Sequence, residues 1–392
     1  MKILRTALLI ATFLVQSPAP IFASEMLEKY NVGGYRSVPS ANFYRLSESH
    51  TPSTLQRASR NELQSPRYAK IVSDIDAYMD KYTATTGIIV LIDGKIIVEK
   101  YAGLGSANSE FFSMSIGKSL TSLAIGKALC EGKIASLTDN AQKYVPELGN
   151  SNLGKSTIAQ LLTMSSGAYK SARGGQPAFK YGIGQNPRNL KPYSGAHWPL
   201  RLRQVTIEEL LWGEWWENII QTDVAKPGTQ FMYKSLDTLS LSMVIKKSTG
   251  RPVAPYFEDV IWSKIGSEKS AYWESDRNGD TISSSGFQAS LRDWARLGIW
   301  IENSFDKKGC FSDYLREATR THTPLDKKQS SAFAGYGYQW WTEPRFSSGF
   351  WGVGFAGQLL GIDPKANKIV IKFAYRNDKG SFYDLMSQFK NW

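Results

Sequence analysis

Gly87-Ile-Ile-Val-Leu-Ile-Asp93-Gly94-Lys-Ile-Ile-Val-Glu-Lys-Tyr101 sets two β-branched runs on either side of Asp-Gly, the strongest short-range signal for a β-hairpin. Near the other end, Gln358-Leu-Leu-Gly-Ile-Asp363-Pro364-Lys-Ala-Asn-Lys-Ile-Val-Ile-Lys-Phe-Ala374 reads as a second hairpin, turning around Pro364 to Asn367. Ahead of the first, Arg67 to Lys81 carries Ile71, Ile75 and Met79 at spacing four, the stripe of a helix with one buried face. After the second, Ser381 to Trp392 reads as helical. Between the hairpins, Ile116 to Cys130 shows Leu120, Ile125 and Leu129 with small residues between them. Further helices are expected at Thr157 to Met164, Ile207 to Leu211, Leu236 to Ser248 and Ser290 to Ile301. Strands at both ends with helices between them predict an α+β fold. Its antiparallel β-sheet is formed by N- and C-terminal strands flanked by helices, and it carries an inserted, mainly helical lobe. Residues 67–110 and 285–392 supply the sheet domain and residues 111–284 the helical domain with site-lining loops. Residues 24–66, polar and turn-rich, read as a surface extension.

With 42% hydrophobic and 21% charged residues among 392, the chain has too much apolar content to be disordered. Lys2 and Arg5 precede an apolar run from Ala7 to Val15, broken only by Thr12, and Ile21-Phe22-Ala23 resembles a cleavage site. Residues 1–23 therefore read as a signal peptide. The run falls short of the roughly 20 residues that span a bilayer, so no stable membrane anchor is expected after cleavage. The mature protein is expected to be soluble and periplasmic or secreted, which disfavours ATP- or NAD-dependent chemistry. Removing Lys2 and Arg5 lowers the net charge from +12 to +10. No Lys/Arg block of five, zinc-finger pattern or RNA-binding signature accompanies that charge, so it reads as a solvated surface rather than a nucleic-acid site. His50, His197 and His322 lie far apart and share no ligand spacing with each other or with the two cysteines, so no metal or other cofactor is expected.

Three short motifs carry chemistry. Gly149-Asn-Ser-Asn-Leu-Gly154-Lys155-Ser156 matches a phosphate loop, but Lys143-Tyr-Val-Pro146-Glu-Leu before it does not read as a central strand, and the match is a coincidence. Ser115-Ile-Gly-Lys118 opens the apolar Ile116–Cys130 helix, where residues three apart share a face. A buried Lys118 would shed its proton and could take one from Ser115, at a helix end whose dipole favours developing negative charge. The plainer reading makes Ser115 a helix cap and Lys118 a surface residue. Lys226-Pro-Gly-Thr-Gln-Phe231-Met-Tyr233-Lys-Ser235 places Tyr233 after a Pro-Gly turn and just ahead of a helix. A nearby lysine ammonium would ease ionisation of that phenol and let it shuttle a proton; an aromatic packed at a helix start is the plainer reading.

Taken in order, Ser115-Ile-Gly-Lys118, Leu161-Leu-Thr-Met-Ser-Ser-Gly167, Pro227-Gly228 before Tyr233-Lys-Ser235, and Gly357-Gln358 before Asp363-Pro364 resemble the serine β-lactamase / penicillin-binding superfamily on its class C side. Tyr-x-Ser, Tyr336-Gly-Tyr-Gln-Trp340-Trp341 and Gly357-Gln358 are similar to the 6-aminohexanoate-dimer hydrolase and esterase branch. The resemblance implies Ser115 as acyl-forming nucleophile, Lys118 as its activator, Tyr233 as general base and acid, and Ser235 as third member of the tyrosine motif. It also implies an oxyanion hole from the backbone N–H groups of Ser115 and Phe355, each donor stabilising the transition state by about 3 kcal/mol.

One departure stands out. Gly352-Val353-Gly354 occupies the place of the family's Lys-Thr-Gly, so no cation sits at position 352 to dock a β-lactam carboxylate. Penicillin turnover becomes doubtful while acyl transfer does not, and the glycine-flanked strand can still hold a substrate by its backbone. The expected substrate is a small linear amide or ester. D,D-peptidase or β-lactamase activity and a catalytically silent binding protein on the same scaffold are the rivals.

Between Leu148 and Ile207 there is no Asp or Glu, while Lys155, Lys170, Arg173, Lys180, Arg188, Lys191, Arg201 and Arg203 all occur. This stretch reads either as a solvated loop or as a lid favouring an anionic substrate end. Trp212, Trp215, Trp216, Trp340 and Trp341 read as core or as a pocket lining. Cys130 reads most simply as a small buried hydrophobe, and pairing with Cys310 stays open.

Overall fold

The computed structural model describes Val32, Leu200 and residues 42–172, 205–212, 219–223 and 225–392. The strands are β1 (Asn42–Leu46), β2 (Thr85–Ile92), β3 (Lys95–Tyr101), β4 (Glu110–Phe112), β5 (Ala168–Ala172), β6 (Ile219–Asp223) and β7 (Ala271–Ser275). They continue with β8 (Phe287–Ser290), β9 (Thr323–Pro324), β10 (Phe333–Tyr336), β11 (Trp341–Pro344), β12 (Phe350–Gly354), β13 (Gln358–Asp363) and β14 (Lys368–Ala374). The helices of eight or more residues are α1 (Pro66–Lys81), α2 (Ile116–Cys130), α3 (Ser235–Thr249), α4 (Val253–Val260), α5 (Leu291–Phe305), α6 (Cys310–Ala318) and α7 (Ser381–Asn391).

Both expected hairpins form. Asp93 and Gly94 have φ of 51° and 73°, the left-handed pair that a tight two-residue hairpin turn requires. The β13–β14 turn closes through Asn367, at φ 49°. β14 pairs antiparallel with β2 from Lys368–Ile92 to Ala374–Thr85, so the two ends of the chain meet in one sheet of order β3-β2-β14-β13-β12-β11-β10-β9. Ile88, Val90 and Ile92 face α1 and α7 through Ile71, Ile75, Leu385 and Phe389. Ile89 and Leu91 face α5 through Leu291, Trp294 and Leu297. Helices on both faces explain why β2 reads as an unbroken apolar run rather than an alternating one.

α2 is the axis of the helical lobe, buried from Ile116 to Gly126 and at Ala128, as expected of a helix apolar all round. Gly126 allows the Tyr314 ring of α6 to lie against it: an added Cβ would stand 2.3 Å from the ring. Cys130 and Cys310 are disulfide-bonded, joining the end of α2 to the start of α6. Cys130 is thus half-buried and bonded rather than a free buried hydrophobe.

Two expectations are corrected. In the region read as a surface extension, β1 pairs with β7 and buries Leu46, because an apolar residue at a strand end finds the core whatever the polarity of its neighbours. β4, β7 and β8 complete a second sheet of order β1-β7-β8-β4, which straddles the expected domain limits at 110 and 285. Strands this short carry too few residues for a period to show. No helix among the described residues is long and apolar enough to cross a membrane.

Candidate active site

Ser115 occupies the cap position of α2 but makes no side-chain cap hydrogen bond; its hydroxyl is directed elsewhere. Met114 ahead of it has φ 46°, a conformation that costs a non-glycine residue energy and recurs where a side chain must be presented. Two contacts hold that turn. Ser113 donates its N–H to the Phe287 carbonyl at 2.8 Å and accepts the Phe287 N–H on its hydroxyl at 3.1 Å. On the other side, a Cβ added to Gly354 would stand 2.5 Å from the Ser113 carbonyl oxygen and 3.0 Å from Met114 Cβ, so the end of β12 lies directly on the turn.

One helical turn on, Lys118 is 2% exposed, against the surface reading. Its Nζ donates to Ser115 Oγ at 3.1 Å and to the Ser284 carbonyl at 2.8 Å. With no carboxylate beside it among the described residues, burial pushes its pKa down to about 7. The lysine is thereby divided between charged and neutral forms near neutrality, and its neutral form can accept a proton from the serine it touches. Gly117 keeps the Ser284–Ser285 backbone close, since a Cβ there would stand 3.0 Å from both Cα and O of Ser285.

Tyr233, 118 residues further along the chain than Ser115, brings its phenol to the Ser115 side chain, which acts on its acidity. Lys118 Nζ lies over its ring at 5.3 Å from the centroid. The expected lowering of the phenol's pKa by an ammonium is not found: burial outweighs the opposing effect of Ser115 and pushes it up to about 12. The lysine meets the ring face rather than the oxygen and is itself easily deprotonated. Tyr233 therefore holds its proton across the physiological range and is suited to give it up to a leaving group. Its ring stacks on Trp341 at 5.3 Å and meets Tyr336 edge-on at 6.1 Å.

A buried network behind Tyr233 escaped the sequence reading. Lys234 and Asp237 pair at 3.2 Å with side chains 1% and 0% exposed. Ser166 donates its hydroxyl to Asp237 at 2.6 Å, tying the Leu161–Gly167 segment to the tyrosine motif. Burial raises the Asp237 pKa against the opposing pull of Lys234 and Ser166. The Lys–Asp spacing of three on one helix face was the available signal. The bridging role of Gln339, which lies within the Tyr336–Trp341 segment, also went unread. This glutamine donates to the Leu161 and Leu162 carbonyls, accepts from Thr238, and receives the Ser119 hydroxyl on its own carbonyl, joining three parts of the helical lobe.

Of the residues expected to bind substrate, Ser235 is buried at the first turn of α3 and Val353 is half-buried on the α7 side of the sheet. At Gly352 the absent side chain would point at α2, 3.1 Å from Ile116 Cγ2 and 3.4 Å from Ser119 Oγ, so the lack of a side chain lets the strand lie close to the helix. Phe355 lies just past β12 in a short 3-10 turn, with its ring half exposed. Gln358 anchors that turn by donating to the Phe355 and Ala374 carbonyls at 2.9 and 2.7 Å. The Ser115 N–H has no backbone acceptor among the described residues.

The Gly149–Ser156 match is a turn and the four-residue helix Asn152–Lys155, not a loop following a strand. Arg173, Arg188, Trp215 and Trp216 lie outside the described residues; Trp212 and Trp340 pack in or against the core. Among the described residues no three His, Cys, Asp or Glu side chains converge as a metal-binding group.

The family model described as Beta-lactamase matches residues 71–388. The 6-aminohexanoate-dimer hydrolase of Paenarthrobacter ureafaciens is 24% identical over 312 residues, covering 74% of this chain and 73% of that one. Among solved structures, a candidate 6-aminohexanoate-dimer hydrolase from Bacillus anthracis aligns with a TM-score of 0.68 at 21% identity, over 93% of this chain and 92% of that one. EstCE1, a hydrolase with promiscuous acyltransferase activity, aligns with a TM-score of 0.61 at 15% identity, over 83% and 99% of the respective chains.

Proposed function

The chain belongs to the Beta-lactamase family, and from that premise we propose that it is a serine hydrolase cleaving linear amides or esters through an acyl-enzyme on Ser115. The observation that carries this reading is the cluster at one helix end in which Lys118 donates to Ser115 Oγ and lies over the Tyr233 ring. Neutral Lys118 takes the Ser115 proton as Oγ bonds to the substrate carbonyl carbon, and the resulting oxyanion accepts the Ser115 and Phe355 N–H groups. The scissile bond breaks as Tyr233 protonates the departing nitrogen or oxygen, and the proton on Lys118 replaces the one Tyr233 gave. Water then attacks the acyl-enzyme by the same route in reverse order, releasing the acid and restoring Ser115. The net reaction consumes one water per bond cleaved.

Kinship to the aminohexanoate-dimer hydrolases makes 6-aminohexanoate-dimer-type amides and short acyl esters the substrates of choice for testing. Penicillin or cephalosporin turnover is not expected, because no cation sits at position 352 to dock the substrate carboxylate. Export through residues 1–23 belongs to the same proposal and is supported by the disulfide, a bond of oxidising compartments.

A fluorophosphonate probe should label the wild-type protein at Ser115 and leave Ser115→Ala unlabelled. The same variant should lose p-nitrophenyl ester hydrolysis by at least about 1,000-fold. Labelling or turnover that survives the substitution would overturn the assignment.

A further inference from the structure

The buried Lys234–Asp237–Ser166 network takes no part in the reaction above, yet it grips the chain on both sides of Tyr233. Lys234 precedes α3 in an extended conformation, at φ −156° and ψ 154°, and neighbouring side chains of extended backbone point to opposite sides. Phe231 and Tyr233 pack with Met164, Tyr336 and Trp341, while the Lys234 side chain turns inward, donating to the Met232 carbonyl at 3.3 Å and pairing with Asp237 at 3.2 Å. Asp237 also accepts the hydroxyl of Ser166 at 2.6 Å and its N–H at 3.3 Å. The same hydroxyl accepts the N–H of Ala168, the first residue of β5, at 3.2 Å. Alongside, the Met232 N–H donates to the Met164 carbonyl at 2.8 Å. One carboxylate thus joins the backbone around Tyr233 to the segment that leads into β5. Ser115 and Lys118 are held by other contacts: the Ser113–Phe287 pair and the Ser284 carbonyl.

We propose that Asp237 is a positioning residue for the proton donor: through Lys234 and Ser166 it fixes Tyr233 at the departing heteroatom, and it governs departure of the leaving group rather than attack by Ser115. The inference rests on the hydrolase reading above. An ion pair buried this deeply stabilises a fold little more than apolar residues of the same size would, but it fixes geometry, because the ammonium and the serine donors must all meet one carboxylate. Proton transfer to a leaving group demands such geometry, since it fails once donor and acceptor leave hydrogen-bond reach. Attack by Ser115 does not pass through this network and is spared.

The test compares p-nitrophenyl butyrate with ethyl butyrate. The acyl group is shared, so kcat/KM differs only in acylation: p-nitrophenolate departs without a proton, whereas ethanol needs one. Asp237→Asn should lower kcat/KM for ethyl butyrate by roughly 10- to 100-fold and for p-nitrophenyl butyrate by no more than about 3-fold. A general loss of structure would lower both alike. Because Asp237→Asn leaves the Lys234 ammonium buried without its counter-charge, Lys234→Met with Asp237→Asn, which removes both charges, is measured beside it and should show the same split. Ser166→Ala, which keeps the ion pair, should show it at a smaller size. Equal losses on the two esters in the double variant, or ethyl butyrate turnover that survives it, would overturn the proposal. Tyr233→Phe separates this proposal from the reading beneath it, for that variant should show the split in full, at about 100-fold or more. If it shows none, the acid role of Tyr233 is wrong, and wild-type protein inert toward both esters would overturn the hydrolase reading itself.

Discussion

Burial without a counter-charge makes Lys118 a base near neutrality, and Tyr233 beside it remains an acid because burial moves a phenol the other way. The two groups therefore do not exchange roles as pH changes. Below about 7 the lysine is an ammonium and cannot accept the serine proton; above it the base is free, and the phenol keeps its proton until about 12. For an ester substrate, kcat/KM should rise with unit slope through a pKa near 7 and then stay level to pH 10. A fall between pH 8 and 10 would mean that Tyr233 ionises early and that the division of labour is wrong. The same shift has a cost for folding. The unfolded chain binds a proton at Lys118 that the native one lacks between about pH 7 and 10.5, so this residue contributes stability that increases with pH across that window.

Glycines set how closely the elements around the site approach. Gly354 lets β12 touch the Ser113–Met114 turn, Gly117 lets α2 touch the Ser284–Ser285 backbone, and Gly352 lets β12 touch Ile116 and Ser119. Restoring the family's lysine by Gly352→Lys should therefore not produce a β-lactamase. The new side chain would meet α2 in a packed region, costing about 1–3 kcal/mol and displacing Ser115 from its partners. A lowered Tm, at least a 10-fold loss of esterase kcat and no nitrocefin turnover are the expected readings. Unchanged stability with gained nitrocefin turnover would show that the strand has room to move.

The whole molecule is held at two long-range joints. The β2–β14 pairing closes the sheet between chain segments 276 or more residues apart, and the Cys130–Cys310 bond joins α2 to α6 across a separation of 180 residues. A crosslink of that span removes much of the unfolded chain's freedom. Cys130→Ala with Cys310→Ser should lower stability by about 2–5 kcal/mol, read as a lower denaturant midpoint, and reductant should act on the wild type alone. Because the bond lies at the opposite end of α2 from Ser115, kcat at 25 °C should stay within about twofold. A larger loss of kcat would mean that the helix axis depends on the crosslink.

Local physics was legible from the residues. Two Asp-Gly- and Pro-Asn-type turns between β-branched runs, an apolar helix beginning at Ser115, and four segments in a fixed order suffice for the sheet and for bringing Ser115, Lys118 and Tyr233 forward as candidates. Those features depend on near neighbours in the chain, where period and turn chemistry act. What the sequence left open depends on residues distant in sequence. Whether Lys118 is buried, whether Tyr233 gains or loses acidity, whether Cys130 finds Cys310, and whether a glycine faces a substrate or a helix are all decided by what packs against them. Desolvation and steric contact are properties of the assembled neighbourhood, and the chain acquires that neighbourhood only by folding.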